Sequence, residues 1–156
     1  MNDTLELPRG ATACLSKAGL AEGTNANTFK VAAPNGAGID FVIDGIAYHY
    51  ADTDNIAMTA AAAQADLTTC LYLVCVSSGG TVTTVKGTEV LTADLTAGKE
   101  VLVWPDRTAG TCPIGAIKVA NSGGTFTAGS TDLGAGTVTD TYYDFAMGMP
   151  TRPLTS

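Results

Sequence analysis

The chain contains one histidine, His49, and four cysteines, Cys14, Cys70, Cys75 and Cys112, so any nucleophile activated by an imidazole must draw on His49. Such activation needs a base that a third group holds in place, and no G-x-S-x-G motif accompanies the histidine. On the hairpin inferred below, His49 points to the face opposite Tyr48 and Tyr50, the position of a surface strand histidine. One histidine also excludes most His-based metal sites, and the absence of a C-x-x-C pair removes the zinc and thioredoxin signatures. If Thr69 to Val76 is extended, Cys70 and Cys75 lie on opposite faces roughly 16 Å apart, unable to bond or to share a metal. All four cysteines are expected to be reduced, buried thiols that act as small hydrophobes.

Asp52-Thr53-Asp54-Asn55 offers oxygens of the kind calcium takes, but it lacks the glycine and closing glutamate of an EF-hand loop and reads as a turn. The pairs Gly36-Ala-Gly38 and Gly134-Ala-Gly136 lack the third glycine of a dinucleotide fingerprint, whose place is held by Phe41 and Thr139. Tyr48, Tyr50, Tyr72, Tyr142, Tyr143 and Trp104 are the material of a sugar-stacking platform. The strand alternation already accounts for Tyr48, Tyr72 and Trp104 as core, so a platform needs exposure near Tyr50 or Tyr142. No catalytic, cofactor-binding or metal-ligating residue is assigned, and the chain reads as a non-enzyme.

The elements that must position these residues are strands. Thr69 to Val76 is apolar on both parities, with Leu71, Leu73 and Cys75 on one and Cys70, Tyr72, Val74 and Val76 on the other, which predicts a central strand buried on both faces. Ile39, Phe41 and Ile43, then Asp44-Gly45, then Ile46, Tyr48 and Tyr50 predict a hairpin with a two-residue type I′ turn. Ser77 to Gly80 predicts a second hairpin into Thr81 to Val85. Further strands are expected at Thr28 to Ala33, Ile56 to Thr59, Thr88 to Leu91, Lys99 to Trp104, Pro113 to Ala120 and Thr137 to Phe145, with a turn of helix or a crossing loop at Ala60 to Ala65. Eight to ten short strands at this spacing predict an all-β jelly-roll or related sandwich or barrel. Residues 1–27 lack a sustained period and read as an extended arm with at most a short helical turn near Ala13 to Ala21, residues 28–146 as the β domain, and residues 147–156 as an extended tail.

A length of 156 residues suits one domain with its own core. Eight Lys and Arg stand against 15 Asp and Glu, a net charge of −7, and no two basic residues are adjacent, which argues against nucleic acid or anionic membrane as partner. Only 15% of residues are charged and 18 are glycine, a composition suited to close-packed strands and tight turns. The residues after Met1 lack the pattern of an export signal, and no run reaches the ~20 apolar residues of a membrane span, so the protein is expected to be made in the cytoplasm.

The runs Thr53-Asp-Asn-Ile-Ala-Met58, Thr69-Cys-Leu-Tyr-Leu-Val74, Lys86-Gly-Thr-Glu-Val-Leu-Thr-Ala-Asp-Leu95, Cys112-Pro-Ile-Gly-Ala-Ile-Lys-Val119 and Thr141-Tyr-Tyr-Asp-Phe145 resemble small structural proteins of tailed bacteriophages, with capsid decoration or cement proteins the best fit in size. The resemblance covers residues 39–146. It implies a virion protein on the capsid surface, bound without covalent links to the major capsid protein in many symmetric copies. It further implies self-association, as a trimer, with the termini gripping shell or neighbour. A tail or fibre component is the alternative within the particle, and a carbohydrate-binding β module the alternative outside it.

Overall fold

The computed structural model describes residues 11–146. Along the chain run β1 (Ala13–Cys14), β2 (Leu20–Glu22), β3 (Thr28–Val31), β4 (Ile39–Ile43), β5 (Ile46–Tyr50), β6 (Thr53–Ala57), β7 (Thr68–Ser77), β8 (Val82–Lys86), β9 (Val90–Leu91), α1 (Thr92–Thr96), β10 (Thr111–Asn121) and β11 (Val138–Asp144). Every strand pairing is antiparallel. A five-stranded sheet has the order β11-β10-β7-β8 with β9 also beside β7, and two three-stranded sheets have the orders β1-β4-β5 and β2-β3-β6. The fold class is all-β.

The long strand β7 sits at the centre of the large sheet, and the first nine of its ten residues are buried. Its two faces do what the parity predicts. Cys70, Tyr72, Val74 and Val76 enter the main core, where they join Ile114, Ile117 and Val119 of β10 and Phe29, Val31, Ile39 and Phe41 of the small sheets. Leu73 and Cys75 point the other way with Ala116 and Phe145, and Leu71 packs with Val90 and Leu102. Each fully buried Leu, Ile, Val or Phe contributes about 1.5–3 kcal/mol, so a strand apolar on both faces is stable only between two layers.

In β10 the register against β7 slips between Pro113 and Gly115, so that Ile114 is the extra residue of a bulge. A proline in a strand with neighbours on both sides is tolerated at such a place, where the ladder is already interrupted. The slip also changes which parity faces the main core, from Cys112 and Ile114 before it to Ile117 and Val119 after it. Gly115 is required there, because an added Cβ would come within 2.3 Å of the Tyr143 carbonyl oxygen and 2.4 Å of Leu20 Cδ1.

The hairpin β4–β5 forms as predicted, with Ile43 paired to Ile46 across Asp44 (φ 51°) and Gly45 (φ 82°), the two positive φ values of a type I′ turn. The second hairpin, β7 to β8, is also present. Four expectations need correction. Eleven strands form among the described residues, one more than the upper expectation. Lys99 to Trp104 is not a strand: Leu102 is buried while Val101 and Val103 are exposed, so the alternation governs burial, but β7 already has β8, β9 and β10 as ladder partners. Thr92 to Thr96, between the strands expected at Thr88 to Leu91 and Lys99 to Trp104 and with no element expected of its own, makes one turn of helix, closed where Gly98 (φ 68°) donates to the Leu95 carbonyl at 3.1 Å. Of the two readings open at Ala60 to Ala65 the crossing loop forms, and its backbone is taken up elsewhere: Gln64 N–H donates to the Phe126 carbonyl at 2.8 Å and Phe126 N–H returns the bond at 3.2 Å.

The fourth correction concerns residues 11–27, which do not form a helical turn but supply β1 and β2 and bury Cys14, Ala18 and Leu20 in the main core. Residues 1–10 and the tail 147–156 lie outside the described residues. Gly45→Val is expected to lower stability by ~1–2 kcal/mol, the cost of a left-handed conformation for a side-chain-bearing residue, read as a lower urea midpoint with an unchanged slope. An unchanged midpoint would place the turn elsewhere.

Candidate functional surface

The side chains able to do chemistry are dispersed through the fold. His49 is exposed on β5, its Nδ1 2.9 Å from Asp40 Oδ1 on β4, a surface pair with no cysteine thiol and no serine or threonine hydroxyl among the described residues bonded to the ring. The four cysteines are buried and free. Burial pushes all four thiols up, Cys70 to about 11 and Cys112 to about 12, so at neutral pH they are protonated and poor nucleophiles. Cys70 and Cys75 fall in separate clusters on opposite faces of β7, as the spacing predicts. Among the described residues no group of three or more His, Cys, Asp or Glu is placed to hold a metal.

Asp52 to Asn55 is not a turn, although Asp54 Oδ1 does accept from the neighbouring Asn55 N–H at 2.7 Å. Thr53 begins β6, and the carboxylates and amide clip earlier segments: Asp52 Oδ1 accepts from Ala33 N–H at 2.8 Å, Asp54 from the Thr24 hydroxyl and N–H, and Asn55 Oδ1 from Asn25 N–H at 2.8 Å. The Thr24 hydroxyl, then its N–H, hold the Asp54 carboxyl below its ordinary range. Of the aromatics, Tyr72 is core, Tyr48 lies parallel to Phe41 with centroids 5.7 Å apart, and Trp104 meets Phe145 edge-on at 5.2 Å. Tyr50 and Tyr142 are half-buried against the main core and do not stand out as a stacking platform.

The loop from Met58 to Leu67 is held by a polar clamp that the sequence reading missed. Gln64 is fully buried, and its Nε2 donates to the carbonyls of Thr68 (2.9 Å) and Val119 (3.1 Å) while its Oε1 accepts from the Tyr72 phenol (3.2 Å). Beside it Lys86 donates to the Ala62 carbonyl at 2.8 Å and pairs with Glu89, which accepts from Ala65 N–H at 2.9 Å. Alternation carries no sign of this, because Gln64 lies in a run of alanines.

Some large apolar side chains are left exposed, Leu15 and Ile46 singly and four others close together in the fold. Leu67, Leu91, Val101 and Val103 are exposed, the two valines at 69% and 61%. They surround the cluster of Leu71, Val90 and Leu102: Leu91 follows Val90, Val101 and Val103 flank Leu102, and the Leu67 carbonyl accepts from Thr92 N–H at 2.9 Å beside Leu91. Polar groups border them, including the Asp94–Lys99 pair at 3.4 Å. Single exposed apolar residues are ordinary, whereas four that adjoin one buried cluster are the feature of this surface that needs an explanation. The strand expected at Lys99 to Trp104 contained the signal, since Val101 and Val103 occupy its outward parity. No protein-family model, curated protein or solved structure matches this chain.

Two outcomes test the clamp. Gln64→Leu leaves the buried Tyr72 phenol without its acceptor and takes a side-chain donor from the Thr68 and Val119 carbonyls, with an expected loss of about 1–3 kcal/mol, the cost of one buried orphan, measured by chemical denaturation. For Glu89, burial pushes the carboxyl up, but Lys86, Ala65 N–H and Thr68 outweigh it and hold the carboxyl below its ordinary range. A depressed folded value contributes stability that is present above the unfolded value of ~4.3 and lost as pH falls through the folded one. Glu89→Gln should therefore flatten the acid limb of the stability–pH profile below about pH 4.3.

Proposed function

We propose that this chain is a non-enzymatic structural protein of a tailed-bacteriophage virion, a decoration subunit that binds the major capsid protein without covalent links and steadies the shell. The observation that carries the reading is the exposed apolar group Leu67, Leu91, Val101 and Val103 on an all-β domain whose four cysteines are buried and whose histidine is paired with Asp40. The resemblance of residues 39–146 to small phage structural proteins supplies the partner. An acidic chain with a net charge of −7 gains no general electrostatic attraction to DNA, so contact outside the shell suits it better than contact with the genome. Many weak apolar contacts on a symmetric shell act together when subunits are linked, and avidity then exceeds the single affinity by roughly 10²–10⁴.

The test is binding of the purified protein to undecorated heads, with a stained gel of whole virions for copy number. Val101→Lys with Val103→Lys should leave the circular dichroism spectrum and melting temperature unchanged, because both side chains are exposed. Head binding should weaken by about tenfold or more, in keeping with ~1.4 kcal/mol per decade of affinity. Normal binding by the double variant would remove this surface from the contact. A handful of copies per virion would move the protein to the tail or fibre. A terminal truncation that asks about an arm must stop at residue 10, since deletion to residue 20 also removes Cys14, Ala18 and Leu20 from the core.

A further inference from the structure

β5 is the outer strand of its sheet, and β4 is its one strand neighbour among the described residues. The type I′ turn makes Ile43 and Ile46 the first hydrogen-bonded pair, so Ile46, Tyr48 and Tyr50 turn their backbone groups toward β4. Ala47 and His49 turn theirs outward, and no backbone group among the described residues bonds them. Sheet edges are ordinarily blunted by charge, bulge, shortness or cover. Here β6 carries Asp54 and an irregular register against β3, and β11 carries Asp140 and Asp144. β8 is covered by Thr59, whose hydroxyl accepts from Thr84 N–H at 2.9 Å and whose N–H donates to the Thr84 hydroxyl at 2.9 Å. β1 and β9 are two residues long, and β2 has three. β5 has five residues, Ile-Ala-Tyr-His-Tyr, with no Lys, Pro, acid or bulge.

We propose that a second copy of this chain is the partner of this edge, β5 pairing antiparallel with β5 of the other copy about a two-fold axis at Tyr48. In that register Ala47 faces His49 of the other copy, and the outward N–H and C=O groups of both satisfy each other in four hydrogen bonds, two for each such pair. Tyr48 meets its own counterpart, and Ile46, which is 59% exposed, lies opposite the half-buried Tyr50 of the other copy, an aliphatic–aromatic pair of the kind that stabilises sheets. No two like charges are set opposite each other, which matters in a chain of net charge −7. A two-fold contact is self-complementary and joins copies in pairs. It is separate from the apolar surface around Leu102, and it goes beyond the proposed function because it needs no capsid.

The experiment uses the purified full chain without heads. Sedimentation of the wild type over a range of concentrations should show a reversible dimer. Ala47→Pro removes an outward donor while leaving the bonds to β4 intact, and it should weaken association by about tenfold or more, as loss of two hydrogen bonds predicts. A wild type that stays monomeric, or a folded Ala47→Pro protein that associates normally, overturns the proposal. Should Ala47→Pro fail to fold, an equimolar mixture of Ala47→Cys and His49→Cys proteins decides. On mild oxidation the mixture should give a disulfide-linked dimer in excess of either protein alone, because only unlike positions face each other. No excess in the mixture overturns the register and the proposal with it.

Discussion

The pairing of β7 with β10 is the constraint from which the rest of the domain follows. Both strands are buried along most of their length, and β7 is apolar on both parities, so neither face of the pair can be left to water. Two layers are therefore obligatory. One face is closed by the two small sheets, whose Phe29, Val31, Ile39 and Phe41 form the far wall of the main core. The other face is closed by segments with little regular structure, through Val90, Leu95, Leu102, Trp104 and Phe145. A sheet covered by loops on one side leaves some of the covering side chains facing outward, and Val101 and Val103 are exposed for that reason.

Local signals of pattern and turn chemistry were legible in the sequence. Asp44-Gly45 between alternating apolar runs gave the hairpin and its turn type, and the doubly apolar run at Thr69 gave the central strand and the opposite placement of Cys70 and Cys75. What was not legible depends on who the neighbour is. The run at Lys99 alternates like a strand, but alternation says which side chains are inside and not whether a hydrogen-bonding partner is free. Residues 11–27 lack a period because β1 and β2 have two and three residues, too short to show one, yet they place Cys14 and Leu20 in the core. Gln64 gives no local sign of its burial, since its partners at Thr68, Tyr72 and Val119 are assembled only by the tertiary fold.

The residues whose types suggest reactivity are instead spent on cohesion. The thiols fill core positions that serve as well for small apolar groups, and Asp52, Asp54 and Asn55 accept backbone N–H groups from segments that would otherwise hang free. Among the described residues, the domain's outward features include the outer strand β5 and the exposed side chains of Leu67, Leu91, Val101 and Val103.

The bond from Leu20 N–H to Asp144 Oδ1 spans 124 residues at 2.8 Å, joining almost the first described strand to the last. On a ribosome the chain emerges from its N-terminus at about 5–20 residues per second. Through that interval Cys14, Ala18 and Leu20 have no core to enter, because β10 and β11 have not yet been made. The hairpin β4–β5 can close locally as soon as it appears, but the main core can close only after release of residues beyond Asn121. Folding is therefore expected to be largely post-translational and dominated by non-local closure, and the apolar early strands, β5 among them, are open to other nascent chains until β10 arrives.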